Sequence, residues 1–174
     1  VVDHLVAMGH TKIAHVAGPL DISTGLFRKD AFMAAARRNG LAASEERVFE
    51  AGSFQLEDGH AACLRLLDSD GGFTAVVAAN DILALGCIDA IRESGLEVPD
   101  DISVTGYDDI LLVDRLDPTL TTISLPYEEM GGVAARLLLD LMTQTKPTVE
   151  TSYEPTRLAP TLVVRSSTGP VGIE

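Results

Sequence analysis

Two polar side chains stand where an α/β protein most readily does chemistry, each at the end of a strand-like run. Residues 73–79 are almost wholly apolar and stop at Asn80-Asp81, and residues 102–107 stop in the same way at Asp108-Asp109. The first reads as a strand buried on both faces of a parallel sheet, and the second as the strand that re-enters that sheet. Between them Leu85, Ile88 and Ile91 recur at near-helical spacing, Gly95 ends the segment, and residues 98–101 turn the chain. Residues 73–109 thus read as one β-α-β unit, whose crossover is right-handed. Asn80 and Asp108 then emerge at the carboxyl ends of two parallel strands, the edge at which open α/β sheets bind small molecules. An amide that donates and accepts, beside a carboxylate that accepts, suits a polar ligand. The local alternative stays open, with Asn80 only a helix cap and Asp108 only a turn residue. No base is paired with a nucleophile, and no G-x-G-x-x-G, P-loop or G-x-S-x-G segment occurs, so no catalytic residue, metal or cofactor is expected.

Composition narrows the class. The 174 residues are 46% hydrophobic with mean hydropathy +0.20, as expected for one domain with a real core, or one and a fraction. A net charge of −13, with the 13 basic residues scattered, argues against direct nucleic-acid binding, because phosphate contacts need clustered Lys and Arg. No run approaches the roughly 18 apolar residues of a membrane span, and no basic region precedes an apolar segment at the start, so the reading is cytoplasmic. Cys63 and Cys87, each among apolar neighbours, read as buried reduced thiols.

The remaining elements must position that edge. Residues 1–8 read as the last turns of a helix already under way, ended by Gly9, and residues 12–17 as a first strand. Ser23-Thr24 offers an N-cap to a helix whose core face is expected to be Phe27, Ala31, Ala34 and Ala35, with Arg28 in its first turns near the sheet edge. A strand at 47–50 follows, then a helix from Ser53 with Leu56, Cys63 and Leu67 inward. Phe54, at that helix start, suits a staple against the core or a flat platform for a ligand. Residues 111–116 suit a partner surface or a short helix packed at home. Residues 120–124 have strand character, Pro126 opens a helix, a loop covers 143–151, strands are expected at 153–154 and 158–165, and the tail after Ser166 reads as frayed. The alternation of strands and helices predicts an α/β fold, a doubly wound, mostly parallel sheet flanked by helices.

Read together, these segments resemble the effector-binding core of the lactose-repressor and galactose-repressor family of bacterial transcription regulators. The likeness rests on residues 8–13 running into Ala17-Gly18-Pro19, on Arg28 ahead of Phe32, on Ala79-Asn80-Asp81 with Ala84-Leu85-Gly86, on residues 98–104, on Gly106-Tyr107-Asp108-Asp109, on residues 118–122, on Glu129-Met130-Gly131 and on residues 162–166. The resemblance implies a periplasmic-binding-protein-like core in its C-terminal half. Residues 1–120 would form the C-terminal core subdomain, and residues 121–154 a crossover strand, helix and loop of the N-terminal subdomain. Residues 155–166 would be the return strand, and 167–174 a tail. One subdomain is thus expected to carry an orphan helix of the other. The implied function is sensing of a sugar or similar small polar effector, with operator DNA contacted only through an N-terminal headpiece absent here. A periplasmic solute-binding protein is the alternative; an α/β enzyme lacks a catalytic constellation.

The resemblance also implies an effector pocket of Thr24, Arg28, Phe54, Asn80, Asp108 and Tyr127. The chemistry agrees: Asp108 accepts hydroxyl hydrogens, Arg28 donates a fork to neighbouring oxygens, Asn80 reads a hydroxyl in either sense, and Phe54 and Tyr127 offer faces to the C–H side of a sugar ring. The helix from Pro126 carries an apolar stripe of Met130, Val133, Ala134, Leu137, Leu138, Leu141 and Met142 that needs a cover. A homodimer or larger assembly is expected, pairing that stripe across a two-fold axis, with residues 111–116 and the outer face of the helix at 81–94 as a second contact.

Overall fold

The computed structural model describes residues 1–143 and 155–172; the strand expected at 153–154 and nearly all of the loop expected at 143–151 lie outside them. The chain runs α1 (Val2–Ala7), β1 (Ile13–Ala17), α2 (Ser23–Arg38), β2 (Val48–Glu50), α3 (Leu56–Leu67), β3 (Ala75–Ala78), α4 (Asp81–Glu93) and β4 (Ser103–Thr105), then β5 (Thr122–Ser124), α5 (Tyr127–Thr143) and β6 (Thr161–Val163). The first four strands form one parallel sheet in the order β2-β1-β3-β4, with His15 level with Val48 and with Val77, and Val76 level with Val104. All residues of β1 are buried, as a strand covered on both faces requires.

Alternate strand residues feed two cores. Ala14, Val16, Val76, Ala78 and Val104 point toward α3 and α4, whose Cys63, Leu66, Leu83, Cys87 and Ile91 complete the larger cluster. Ile13 and Ala75 point the other way, toward Val2 and Leu5 of α1 and Phe32 and Met33 of α2. Fully burying a side chain such as Leu83 or Ile91 contributes roughly 1.5–3 kcal/mol, so the core on the α3–α4 side carries most of the stabilisation. Those helices touch backbone to backbone: a Cβ on Gly86 would sit 2.1 Å from the Leu56 carbonyl oxygen, which only glycine avoids. Cys63 and Cys87 are buried free thiols at that crossing.

Several expectations need correction. The core face of α2 is Phe32, Met33 and Ala36, while Phe27 is 67% exposed and Ala31 and Ala34 face outward. Of the expected face only Ala35 is partly buried against that core; Phe32 and Met33 together put more apolar surface on the sheet than Phe27 with small alanines, and that sets the roll of the helix. No side chain caps α2: Ile22 precedes it in extended conformation, and Ser23-Thr24 already belong to its first turn. Helix α3 starts at Leu56 rather than Ser53; the Ser53 hydroxyl bonds the Asp58 carboxylate and accepts from the Gln55 amide at 3.1 Å, organising the approach instead. In α4, Ile88 and Ile91 are buried but Leu85 only partly so. Residues 111–116 divide, with Val113 buried, Leu116 partly buried against the larger core, and Leu111 and Leu112 exposed.

Residues 167–172, the described part of the tail beyond Ser166, are not frayed. Ser167 is fully buried and Thr168 nearly so. The Ser167 carbonyl accepts from the Val104 amide at 2.8 Å, and the Val171 amide donates to Met8 at 3.1 Å. The segment covers the free edge of β4, its Ser167 carbonyl taking the Val104 amide and its Ser167 hydroxyl donating to the Val104 carbonyl at 2.6 Å. A run of Ser, Thr and Gly has no apolar period, which is why it read as coil.

Strands β5 and β6 leave this body as an antiparallel ribbon, with Ile123 opposite Leu162. Single parallel bridges, Thr105 with Thr121 and Asp108 with Ser124, join the ribbon to the end of the main sheet. Helix α5 follows, and none of its residues is buried.

Candidate functional site

The carboxyl edge of the sheet gathers four of the six residues singled out from the sequence. Arg28, in the second turn of α2, reaches across that edge. Its Nη1 donates to the Ala79 carbonyl at 2.6 Å and its Nη2 to Asp108 Oδ1 at 3.2 Å. The guanidinium carbon lies 4.1 Å from the centre of the Tyr107 ring, a cation–π contact that fixes the fork. Arg28 and Asp108 keep side-chain exposures of 23% and 26%, so a ligand can reach both.

Asp108 and Asp109 have φ values of 114° and 54°. A non-glycine residue in this region is held there by its surroundings. The Asp108 amide donates to the Ile123 carbonyl at 2.9 Å, and the Tyr127 hydroxyl donates to the Asp108 carbonyl at 3.3 Å. Burial raises the Asp108 carboxyl above the usual carboxylate range, Arg28 opposes the rise, and Asp81 adds to it. The Tyr127 phenol is also raised, by desolvation first and by the negative charge of Asp108 second.

Asn80 does what both readings allowed. Its Oδ1 accepts from the Leu83 amide at 2.8 Å and caps α4, while its Nδ2 donates to no described residue. Thr24 is exposed in the first turn of α2, one turn ahead of Arg28. The Phe54 ring lies against Gly18 at the end of β1 and half-buried against the α3–α4 core. Neither Thr24 nor Phe54 is hydrogen-bonded to the Arg28–Asp108 cluster.

Three features of the site were missed from the sequence. Tyr107 carries the Arg28 stack; its place directly before Asp108 was the available signal. Asp81 is fully buried and accepts from the Ile110 amide at 2.9 Å and from the Thr122 hydroxyl. A Cβ on Gly106 would sit 2.2 Å from Asp81 Oδ1, so glycine leaves the carboxylate its space. Behind Arg28 a cavity of about 240 Å³ lies between α2 and the sheet, lined by His15, Phe32, Val77 and Tyr107 among others. His15 Nδ1 donates to the Val77 carbonyl at 2.7 Å, the ring stacks on Phe32 at 5.1 Å, and Nε2 is buried without a partner among the described residues. Burial lowers the His15 pKa to about 4, so the ring is neutral at pH 7. Among the described residues no group of three His, Cys, Asp or Glu could hold a metal ion, and no helix is long and apolar enough to cross a membrane.

Comparison with known proteins gives a consistent picture. The family of periplasmic binding protein-like domains matches residues 2–168. The HTH-type transcriptional repressor PurR of Haemophilus influenzae (strain PittEE) is 37% identical over 164 residues, covering 94% of this chain and 48% of the relative. Among solved structures, the lac repressor dimer bound to operator and the anti-inducer ONPF superimposes with a TM-score of 0.85 at 33% identity, over 97% of this chain and 56% of that one. The complex of the transcriptional regulator CelR with cellobiose gives 0.83 at 36% identity, over 95% and 49%. The chain spans about half the length of the curated relatives it matches. It belongs to the periplasmic binding protein-like domain family, and the relatives and structures just named, to which it is similar, are transcription repressors and regulators.

Proposed function

We propose that this chain is the ligand-sensing part of a cytoplasmic transcription regulator, taking a sugar or similar small polar effector against the carboxyl edge of its sheet. The observation that carries the reading is the partly exposed Arg28–Asp108 pair, a fork of donors beside an acceptor, which suits vicinal hydroxyls. Asn80 Nδ2 adds a donor, and Thr24, Phe54 and Tyr127 line the approach. No step of bond making is needed, so the chain acts by binding rather than as an enzyme. In a longer protein the ligand would favour one arrangement of two subdomains by its differential affinity, and operator binding would follow. Residues 1–120 and 155–166 would then form one subdomain, and residues 121–154 belong to the other. The relatives described above are named as regulators, which favours sensing over solute delivery to a transporter.

A second copy of the chain is proposed as the cover for α5, where Leu138, Leu141 and Met142 are 58%, 48% and 73% exposed. Light scattering at micromolar concentration is expected to give a dimer or larger that Leu138→Glu dissociates; a monomer unchanged by that substitution would refute it. Sensing itself is tested by thermal unfolding against a panel of ribose, glucose, maltose and cellobiose. At least one sugar should raise the Tm of the chain but not of its Arg28→Met variant. Equal shifts in both, or none in either, would count against the reading. Gel shifts at physiological salt should show no sequence-dependent DNA binding by residues 1–174, given their charge of −13.

A further inference from the structure

The turn that presents Asp108 is tied down from a distance. Asp109 Oδ1 accepts from Arg165 Nη2 at 2.7 Å. Arg165 follows β6, and its Nη1 donates to the Leu120 carbonyl at 2.8 Å while its amide donates to Thr121 Oγ1 at 2.9 Å. One side chain therefore joins the turn after β4, the approach to β5 and the exit from β6. Arg165 and Asp109 are only 17% and 21% exposed, so salt screens the pair less than a surface ion pair.

This anchor acts where the backbone needs one. Asp108 and Asp109 both sit at positive φ, and isolated residues in that region relax elsewhere unless restrained. The Asp108 amide reaches the ribbon at Ile123, the Ile110 amide reaches Asp81, and Asp81 in turn accepts from Thr122 on β5. Between those two amides, the Asp109 side chain is held by Arg165.

We infer that Arg165 is a positioning residue: by holding Asp109 it keeps the left-handed Asp108-Asp109 pair in place, presents the Asp108 carboxylate to Arg28, and couples that presentation to the ribbon leading into α5. The functional meaning rests on the ligand-sensing reading above. If Asp108 binds effector, occupancy there and the pose of the β5–β6 ribbon are linked, and the linkage is reciprocal: whatever favours one ribbon pose favours one Asp108 pose. The ordinary alternative is that Arg165 merely glues the ribbon, in which case its loss frees the Asp108 amide, bonded to Ile123 of β5, but leaves the Ile110 amide protected on Asp81.

Amide hydrogen exchange by NMR on the 174-residue chain separates the two. In Arg165→Met the Asp108 and Ile110 amides should exchange at least about ten-fold faster, the scale set by losing a charge-assisted bond. The Ala51 and Ala79 amides, bonded within the main sheet to Ala17 and Val16, should not change. Asp109→Asn, which keeps the shape and removes the charge, should reproduce the local increase, and Arg165→Lys should recover part of it. Unchanged exchange at 110 in both variants overturns the inference even where 108 responds, and so does an equal increase at 51 and 79, which reports global loosening. The readout uses no ligand, so its failure is distinguishable from failure of the sensing reading, and either can stand without the other.

Discussion

The body formed by residues 1–120 and the ribbon-and-helix appendage after it obey opposite rules. In the body each helix buries a face: α4 alone places Leu83, Cys87, Ile88 and Ile91 in the core at 0–4% exposure. Helix α5 is longer and as apolar along one stripe, yet it buries nothing. Its amphipathic pattern is of the same kind; the difference is that the body supplies a sheet for α4 to cover and the described residues supply none for α5. Periodicity thus specifies a helix and its sticky face without specifying what the face meets.

Substitutions sharpen that contrast. Ile91→Ala removes a fully buried side chain between α4 and the sheet and should cost about 2–5 kcal/mol by urea unfolding. Ser167→Ala tests whether the tail belongs to the body: the Ser167 hydroxyl accepts from the Thr121 amide at 2.8 Å and donates to the Val104 carbonyl at 2.6 Å. Leaving both unpaired should cost about 1–3 kcal/mol; no measurable loss would return the tail to the status of a loose end.

A third effect is in pH. His15 has its pKa lowered to about 4 from an ordinary 6.5. The unfolded chain therefore binds a proton that the folded chain refuses between these values, and stability falls as pH drops through that window. Between pH 7 and pH 5 the loss should be about 2 kcal/mol. His15→Phe, whose ring can stack beside Phe32 with the adjoining cavity to spare, should lack that loss; an identical pH dependence in the variant would contradict it. The smallest effect belongs to the appendage. Leu139→Ala, at a site 59% exposed and outside the stripe, should change stability by less than about 0.5 kcal/mol.

Much of this was legible in the sequence, and for identifiable reasons. The apolar run at 73–79 became β3 because a strand covered on both faces favours apolar side chains, and residues 102–107 became β4 with Ser103 and Thr105 buried but hydrogen-bonded. Asn80 and Asp108 could be found because each interrupts such a run at the same edge. What stayed hidden depends on how helices roll and on long-range polar bonds. Sequence spacing alone could not tell Phe32 and Met33 from Phe27 as the inner face of α2. Nor could it show that Arg165 reaches Asp109 across 56 residues, or that Ser167 and Thr168 seal the β4 edge, because hydrogen-bond partners leave no period.

The central claim is that Arg28 and Asp108 together form a ligand-reading pair. Its most direct test is calorimetric titration of the chain and of Asp108→Asn with the panel sugar giving the largest thermal shift. Removing the carboxylate charge while keeping its shape should weaken binding about ten-fold or more, in a variant whose unfolding midpoint stays near that of the parent. Equal affinity for that sugar in a folded Asp108→Asn would contradict the assignment.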